Sequence, residues 1–226
     1  MDTQGIETVL AAAEERVAKG EPLDGVGFRR VVRDAKRDRD LAERYGERIS
    51  RIDQEAFRRW PWILIPVVPG TVLAVVALLV GLGLVAWSYL AMDAGNEILA
   101  VFVFFAGFGF LIATTHGLGH LMVGRLLGIR FTAWYVASWK RPQPGVKIEY
   151  ASYLRSTPTR RAWMHAAGAV VTKIVPFALI GAARAADLPD GVTWALLALG
   201  VFMVLTDVLF STKGADWAKV RRELRS

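Results

Sequence analysis

Two histidines stand four residues apart in "ATTHGLGHLMVGRLLGIR", residues 113–130, a stretch that is otherwise largely apolar. On a helix, His116 and His120 would project from one face, one turn apart, and could hold a single metal ion. In H-E-x-x-H metal sites the residue after the first histidine is a glutamate that activates water. Gly117 occupies that position here, so the pattern predicts two metal ligands without the usual general base.

Four apolar runs must position these histidines. Residues 60–92 and 98–124 contain no charged residue, and the runs at about 162–183 and 192–210 are interrupted only by His165, Lys173 and Asp207. About 20 apolar residues of helix cross the hydrocarbon core of a bilayer. The sequence therefore predicts a mainly α, polytopic membrane protein with four transmembrane helices.

The net charge of +7 lies entirely in this membrane half, because residues 1–59 contain as many acidic as basic residues. Basic residues precede the first run, separate the second from the third and follow the fourth, whereas the other two loops are mainly acidic. The positive-inside rule then predicts a protein of the cell (inner) membrane with both termini cytoplasmic. We expect membrane lipids as partners and no nucleic acid. The lack of cysteine excludes thiolate metal sites.

Three segments are predicted around this topology. Residues 1–59 are expected to form a cytoplasmic helical hairpin, broken at "KGEPLDGVG" and packed on itself, with recruitment of a partner or a homo-oligomer as the alternatives. Residues 60–211 form the membrane domain. Its connector 129–157 alternates on both sides of "KRPQPG", which predicts a cytoplasmic β-hairpin at the membrane surface. Residues 212–226 are a basic cytoplasmic tail.

This topology brings the unusual residues of the apolar runs to a similar depth. His120, His165 and Asp207 are all expected in the cytoplasmic third of the bilayer, with His116 one turn deeper. Ionisable residues inside a membrane usually face a partner or a cavity. Imidazoles with a carboxylate suit zinc, but the histidines could also form hydrogen bonds between helices. Lys173 could pair with Asp207 and so compete with a metal for it.

Residues 98–217 resemble the site-2-protease-like intramembrane zinc metalloproteases. "HGLGHLMVGRLLGI" is similar to that family's H-E-x-G-H and its continuation, and "LTDVLFST" to the later span that carries its aspartate. The resemblance implies zinc bound by His116, His120 and Asp207, with Gly117 at the position of the base. Independently of the resemblance, the predicted depth of His165 makes it a further candidate ligand. The chain departs from the family at Gly117 and at Val208, which follows the aspartate.

We therefore expect a non-proteolytic relative that binds or regulates another membrane protein or a transmembrane peptide. One alternative is an active intramembrane metalloprotease that uses another base, for which Glu149 in the connector is a weak candidate. A second is a metal-free structural subunit of a membrane complex. Haem bound by two histidines on separate spans is a third, and an absorption spectrum would reveal it.

Overall fold

The computed structural model describes residues 2–139, 141–209 and 215–225, without the side chains of 141–143 and 208. The chain divides into two compact units. We call the first the sheet unit (Met1–Val67, Gly124–Arg161 and Glu223–Ser226) and the second the bundle unit (Val68–Val123 and Ala162–Arg222). In chain order the described elements are α1 (Thr3–Lys19), α2 (Phe28–Arg37), α3 (Arg39–Arg58), β1 (Ile63–Pro66), α4 (Val67–Asp93), α5 (Glu97–Leu126), β2 (Phe131–Ser138), β3 (Arg141–Ile148), α6 (Tyr150–Arg155), α7 (Pro158–Ala185), α8 (Asp190–Leu209) and α9 (Asp216–Leu224).

The N-terminal segment of the sheet unit contains three helices, where the sequence predicted a hairpin of two. Gly20 ends α1 in the left-handed conformation, with φ of 77°, as glycine readily does. Asp38 interrupts the second predicted helix, because its side chain accepts hydrogen bonds from the backbone of Asp40 and Leu41 and so caps α3. The three helices share one apolar core, to which α6 contributes Leu154.

The sheet has three antiparallel strands in the order β1-β2-β3. Strand β2 corresponds to the first predicted strand of the connector. Strand β3 begins earlier than predicted, at Arg141, so it contains most of "KRPQPG", which was predicted as the turn, and the residues after β3 form the short helix α6. Strand β1 adds to the other edge of β2, with Ile63 opposite Val136 and Pro66 opposite Ala133. The sequence predicts this stretch as the start of the first transmembrane helix, and that boundary is wrong.

In the bundle unit, α4, α5, α7 and most of α8 are long and apolar enough to cross a membrane, so the residues that the structure describes contain the predicted four such helices. Glycine allows two of them to approach closely. A Cβ atom on Gly107 of α5 would lie 2.7 Å from the carbonyl oxygen of Gly81 on α4. Small residues at such crossings let helix backbones pack tightly in membranes.

The end of the predicted membrane domain at 211 and the start of the predicted tail at 212 lie outside the described residues. Beyond them, the chain forms the nine-residue helix α9. Its residues up to Arg222 belong to the bundle unit, and Glu223 and Leu224 belong to the sheet unit.

Candidate metal centre

The two histidines of the opening motif face each other on α5. One helical turn separates them, and their rings meet edge to face with centroids 4.7 Å apart. The Nε2 atom of His120 lies 3.3 Å from the Nε2 atom of His116. The i, i+4 spacing thus brings the Nε2 atoms of the two histidines close enough to bind one metal ion, as the sequence predicted.

The third member of the cluster is Asp216, the first residue of α9. Its Oδ2 atom lies 3.3 Å from the Nε2 atom of His116 and 3.3 Å from that of His120. Its other oxygen, Oδ1, accepts a hydrogen bond of 2.7 Å from Nζ of Lys219, one turn along the same helix. Lys219 therefore holds the carboxylate with one oxygen directed to the histidines.

Hydrogen bonds on the far side of each ring determine which nitrogen carries a proton. Nδ1 of His120 lies 2.7 Å from the carbonyl oxygen of Met164, which can only accept a hydrogen bond. Nδ1 of His116 lies 3.1 Å from Oγ1 of Thr172, and that hydroxyl donates its own proton to the carbonyl of Gly168 at 2.7 Å. Both Nδ1 atoms are consequently donors. In the neutral histidines, both Nε2 atoms carry a lone pair.

Three hydrogen-bond acceptors therefore meet at distances of 3.3 Å from one another. Such an arrangement is repulsive unless a cation or an additional proton lies between the atoms. Three donor atoms bound to one tetrahedral zinc at about 2.0–2.1 Å are about 3.3–3.4 Å apart. The ligand types and the triangle of distances both fit zinc, and the second-nitrogen contacts match the usual support of metal-bound histidines.

A glycine on α7 makes room for this arrangement. A Cβ atom on Gly168 would lie 2.4 Å from Nε2 of His120 and 2.6 Å from its Cδ2. The imidazole thus lies against the bare backbone of α7, and His120 is 8% exposed. Any larger residue at this position would displace the ring.

Asp216 is ionised at neutral pH. Burial raises the pKa of its carboxyl, but a hydrogen bond from His120, when that ring carries the additional proton, and the contact with Lys219 outweigh burial and bring the pKa below its ordinary value. The cluster therefore contains a negative charge that favours a bound cation.

The other residues named from the sequence lie as follows. Asp207, the expected third ligand, forms an ion pair with Lys173, which also donates to the carbonyl of Ala169. Asp216 lies beside the histidines where Asp207 was expected. The structure agrees with the alternative in which Lys173 pairs with Asp207. The ring of His165 is buried next to that of His120, with centroids 6.4 Å apart.

The two positions named for general-base chemistry belong to different units. Gly117 is buried on α5 and has no side chain. Glu149 belongs to the sheet unit, where its Oε2 accepts a hydrogen bond of 2.7 Å from Nε of Arg130. Glu149 is therefore already paired with a cation of its own unit.

The sequence does not single out Asp216, because the composition of residues 212–226 predicts a basic tail. A usable signal was present in "DWAKVRREL", which begins with an acid followed three residues later by Lys219. An acid in the first turn is typical of a helix start. That signal predicts a helix but gives no reason to place it beside the histidines.

Comparison of the chain with protein-family models, with curated proteins and with solved structures found no significant match.

Proposed function

We propose that this chain is an integral membrane protein that binds zinc through His116, His120 and Asp216. One observation carries the proposal: three acceptor atoms meet at mutual distances of 3.3 Å, and the second nitrogen of each histidine is engaged elsewhere. The residues surrounding the triangle serve this role. Thr172 and Met164 orient the rings, Gly168 leaves space for one of them, and Lys219 orients the carboxylate.

We further propose that the protein is a non-proteolytic relative of the site-2-protease-like enzymes, and binds another membrane protein or a transmembrane segment. Zinc in such sites supplies Lewis acidity and an activated water. Efficient peptide hydrolysis also needs a general base, which contributes about 10²–10⁴-fold in rate. Gly117 cannot accept a proton. The arrangement therefore favours binding over turnover.

The orientation in the membrane is part of the proposal. Both termini are cytoplasmic in the cell (inner) membrane, and the predicted β-hairpin, now part of the three-stranded sheet, lies at the cytoplasmic surface. The supporting observation is the distribution of Lys and Arg on either side of the four apolar helices. A homo-oligomer through the N-terminal helices stays a prediction.

Elemental analysis of purified protein tests the metal site. We expect about one zinc per chain in the wild type, and loss of zinc in His116→Ala, His120→Ala and Asp216→Ala. Asp207→Asn is the matched control, because Asp207 is the other carboxylate that could complete the set and it pairs with Lys173 instead. Cleavage of a membrane-embedded peptide by the wild type should not exceed that by His116→Ala.

Each of the other possible results of these experiments would support a different function. Absence of metal from the wild type, including after incubation with zinc, would leave a protonated histidine between the acceptors and favour a structural subunit. A Soret band would favour haem. Loss of zinc in Asp207→Asn with retention in Asp216→Ala would restore the ligand set expected from the resemblance. Wild-type cleavage well above His116→Ala would show an active protease.

A further inference from the structure

The sheet unit contains a buried charge cluster centred on Glu223, near the end of α9. Glu223 is 4% exposed. Its Oε1 accepts hydrogen bonds from Nζ of Lys36 on α2, at 2.5 Å, and from the hydroxyl of Tyr153 on α6, at 2.9 Å. Its Oε2 accepts a hydrogen bond of 2.6 Å from Nε of Arg161, which is 1% exposed. Three segments of the chain thus hold one carboxylate.

The partners of Glu223 are themselves held in place. Arg161 also donates to the carbonyl oxygens of Ser156, at 2.5 Å, and of Lys36, at 3.3 Å. Burial, together with the charge of Glu223, raises the pKa of Tyr153 well above its ordinary value, so the phenol remains a donor. A buried network whose members are satisfied in this way is rigid, and losing one charged member is costly.

The helix that carries Glu223 also carries Asp216. Seven residues separate the two, so their side chains leave α9 on nearly the same face, about 10.5 Å apart along its axis. Isolated helices shorter than about 12–15 residues are marginal in water. A helix of nine residues therefore needs contacts with the rest of the protein to stay formed.

Without a cation, the Asp216 end of α9 meets two lone-pair nitrogens and gains little from them. The Glu223 end has a strong anchor with or without a metal. We propose that Glu223 is a positioning residue for the metal centre: its buried cluster keeps α9 helical, and the helix keeps Lys219 one turn from Asp216, where it orients the carboxylate for the metal. This inference rests on the proposed zinc site and adds the element that controls its affinity.

A regulatory consequence follows from the position of Lys36. This residue belongs to α2, so the N-terminal helices hold the helix that supplies the third ligand. A partner that draws Lys36 away from Glu223 would weaken metal binding without touching a ligand.

Cobalt(II) titration of the full-length protein in nanodiscs tests the inference, because cobalt reports both affinity and coordination by its visible spectrum. We expect Glu223→Ala to raise the Kd for cobalt by about 10- to 100-fold, the range found when support of metal ligands is lost. Its cobalt spectrum should resemble that of Asp216→Ala. Glu223→Gln, which keeps part of the hydrogen bonding, and Lys36→Met should have smaller effects in the same direction.

Asp53→Ala is the matched control. It breaks another ion pair of the sheet unit, the partly buried one between Asp53 and Lys147 at 2.5 Å, in which no residue of α9 takes part. We expect this variant to keep the wild-type Kd for cobalt. If it weakens cobalt binding as much as Glu223→Ala, general destabilisation explains both and the inference is wrong.

Hydrogen exchange of the metal-free proteins gives a second readout. Glu223→Ala, or Glu223→Gln if the alanine variant fails to fold, should exchange faster than the wild type at the amides of 217–222. Cobalt binding unchanged in both Glu223 variants would overturn the inference and leave the zinc site intact. A wild type that binds neither cobalt nor zinc would overturn the proposed function, and the positioning role with it.

Discussion

The proton on Nδ1 decides what each histidine of the pair can do. A histidine whose Nδ1 lacked an acceptor could carry its proton on Nε2 and would then be a poor ligand. Of the two acceptors, the hydroxyl of Thr172 is the easier to test, because it belongs to a side chain and a substitution can remove it. Its hydroxyl has one proton, already donated to Gly168, so it can only accept from His116.

Thr172→Val should therefore weaken zinc binding by about 10- to 100-fold, the range for loss of a supporting hydrogen bond to a metal ligand. The side chain keeps its shape, so the fold should be maintained. Competition with a chromophoric chelator measures the change in affinity. Thr114→Val serves as the control, since Thr114 is also buried but its hydroxyl donates to backbone carbonyls of α5. Equal affinities of the two variants would mean that the hydroxyl of Thr172 does not support His116.

Among the elements, α5 does most to build the site, and its contribution was predictable. Periodicity alone places His116 and His120 on one face, and the run of apolar residues makes the helix certain. Strand β2 was predictable for the same reason, since its residues alternate. The start of β3 at Arg141 was not, because the prolines and the glycine of "KRPQPG" favour a turn there.

Three features of the elements could not be inferred from local pattern. Strand β1 is a short apolar stretch that ends at Pro66, and periodicity cannot separate such a strand from the start of a helix. The break between α2 and α3 depends on the cap at Asp38, without glycine or proline to mark it. The choice between Asp207 and Asp216 depends on Lys173, which neutralises Asp207 from the neighbouring helix. The first and the third of these features depend on tertiary contacts, whereas the second depends on a local cap in a segment whose many charged residues hide it.

Packing of α4 against α5 leads to a prediction for this level of structure. Gly107→Ala should lower the thermal stability of the purified protein, because the new Cβ would meet the backbone of Gly81 at 2.7 Å and the side chain of Val85 at 2.9 Å. Gly109→Ala, two residues further along α5, has open space within 4 Å and should be neutral or slightly stabilising. Thermal aggregation in detergent compares the two. A Gly109 variant less stable than the Gly107 variant would contradict the packing described here.

For the molecule as a whole, the distribution of charged residues predicts which loops face the cytoplasm. The loop between α4 and α5 contains Asp93 and Glu97, whereas the segment between α5 and α7 is rich in Lys and Arg. If the positive-inside rule governs insertion, the first loop faces outward and the N-terminal helices face the cytoplasm.

Single cysteines test this orientation directly, because the chain contains no native cysteine. Ala94→Cys lies in the exposed turn after α4, and Glu21→Cys in the exposed loop after α1. An impermeant maleimide added to intact cells should label position 94 and leave position 21 unlabelled until the cells are opened. The reverse pattern would invert the orientation and place the metal centre near the opposite surface.

The order in which the ligands appear along the chain has a consequence for biosynthesis. His116 and His120 are made with the second apolar helix, but Asp216 is made only after the fourth. During translation the two histidines thus enter the membrane as an incomplete pair, with weak hold on any ion. The triangle closes only when all four helices have been synthesised and α9 follows them. If the proposed zinc site forms, metal acquisition is therefore a late event, and a metal-loaded protein is one whose four apolar helices have already been synthesised.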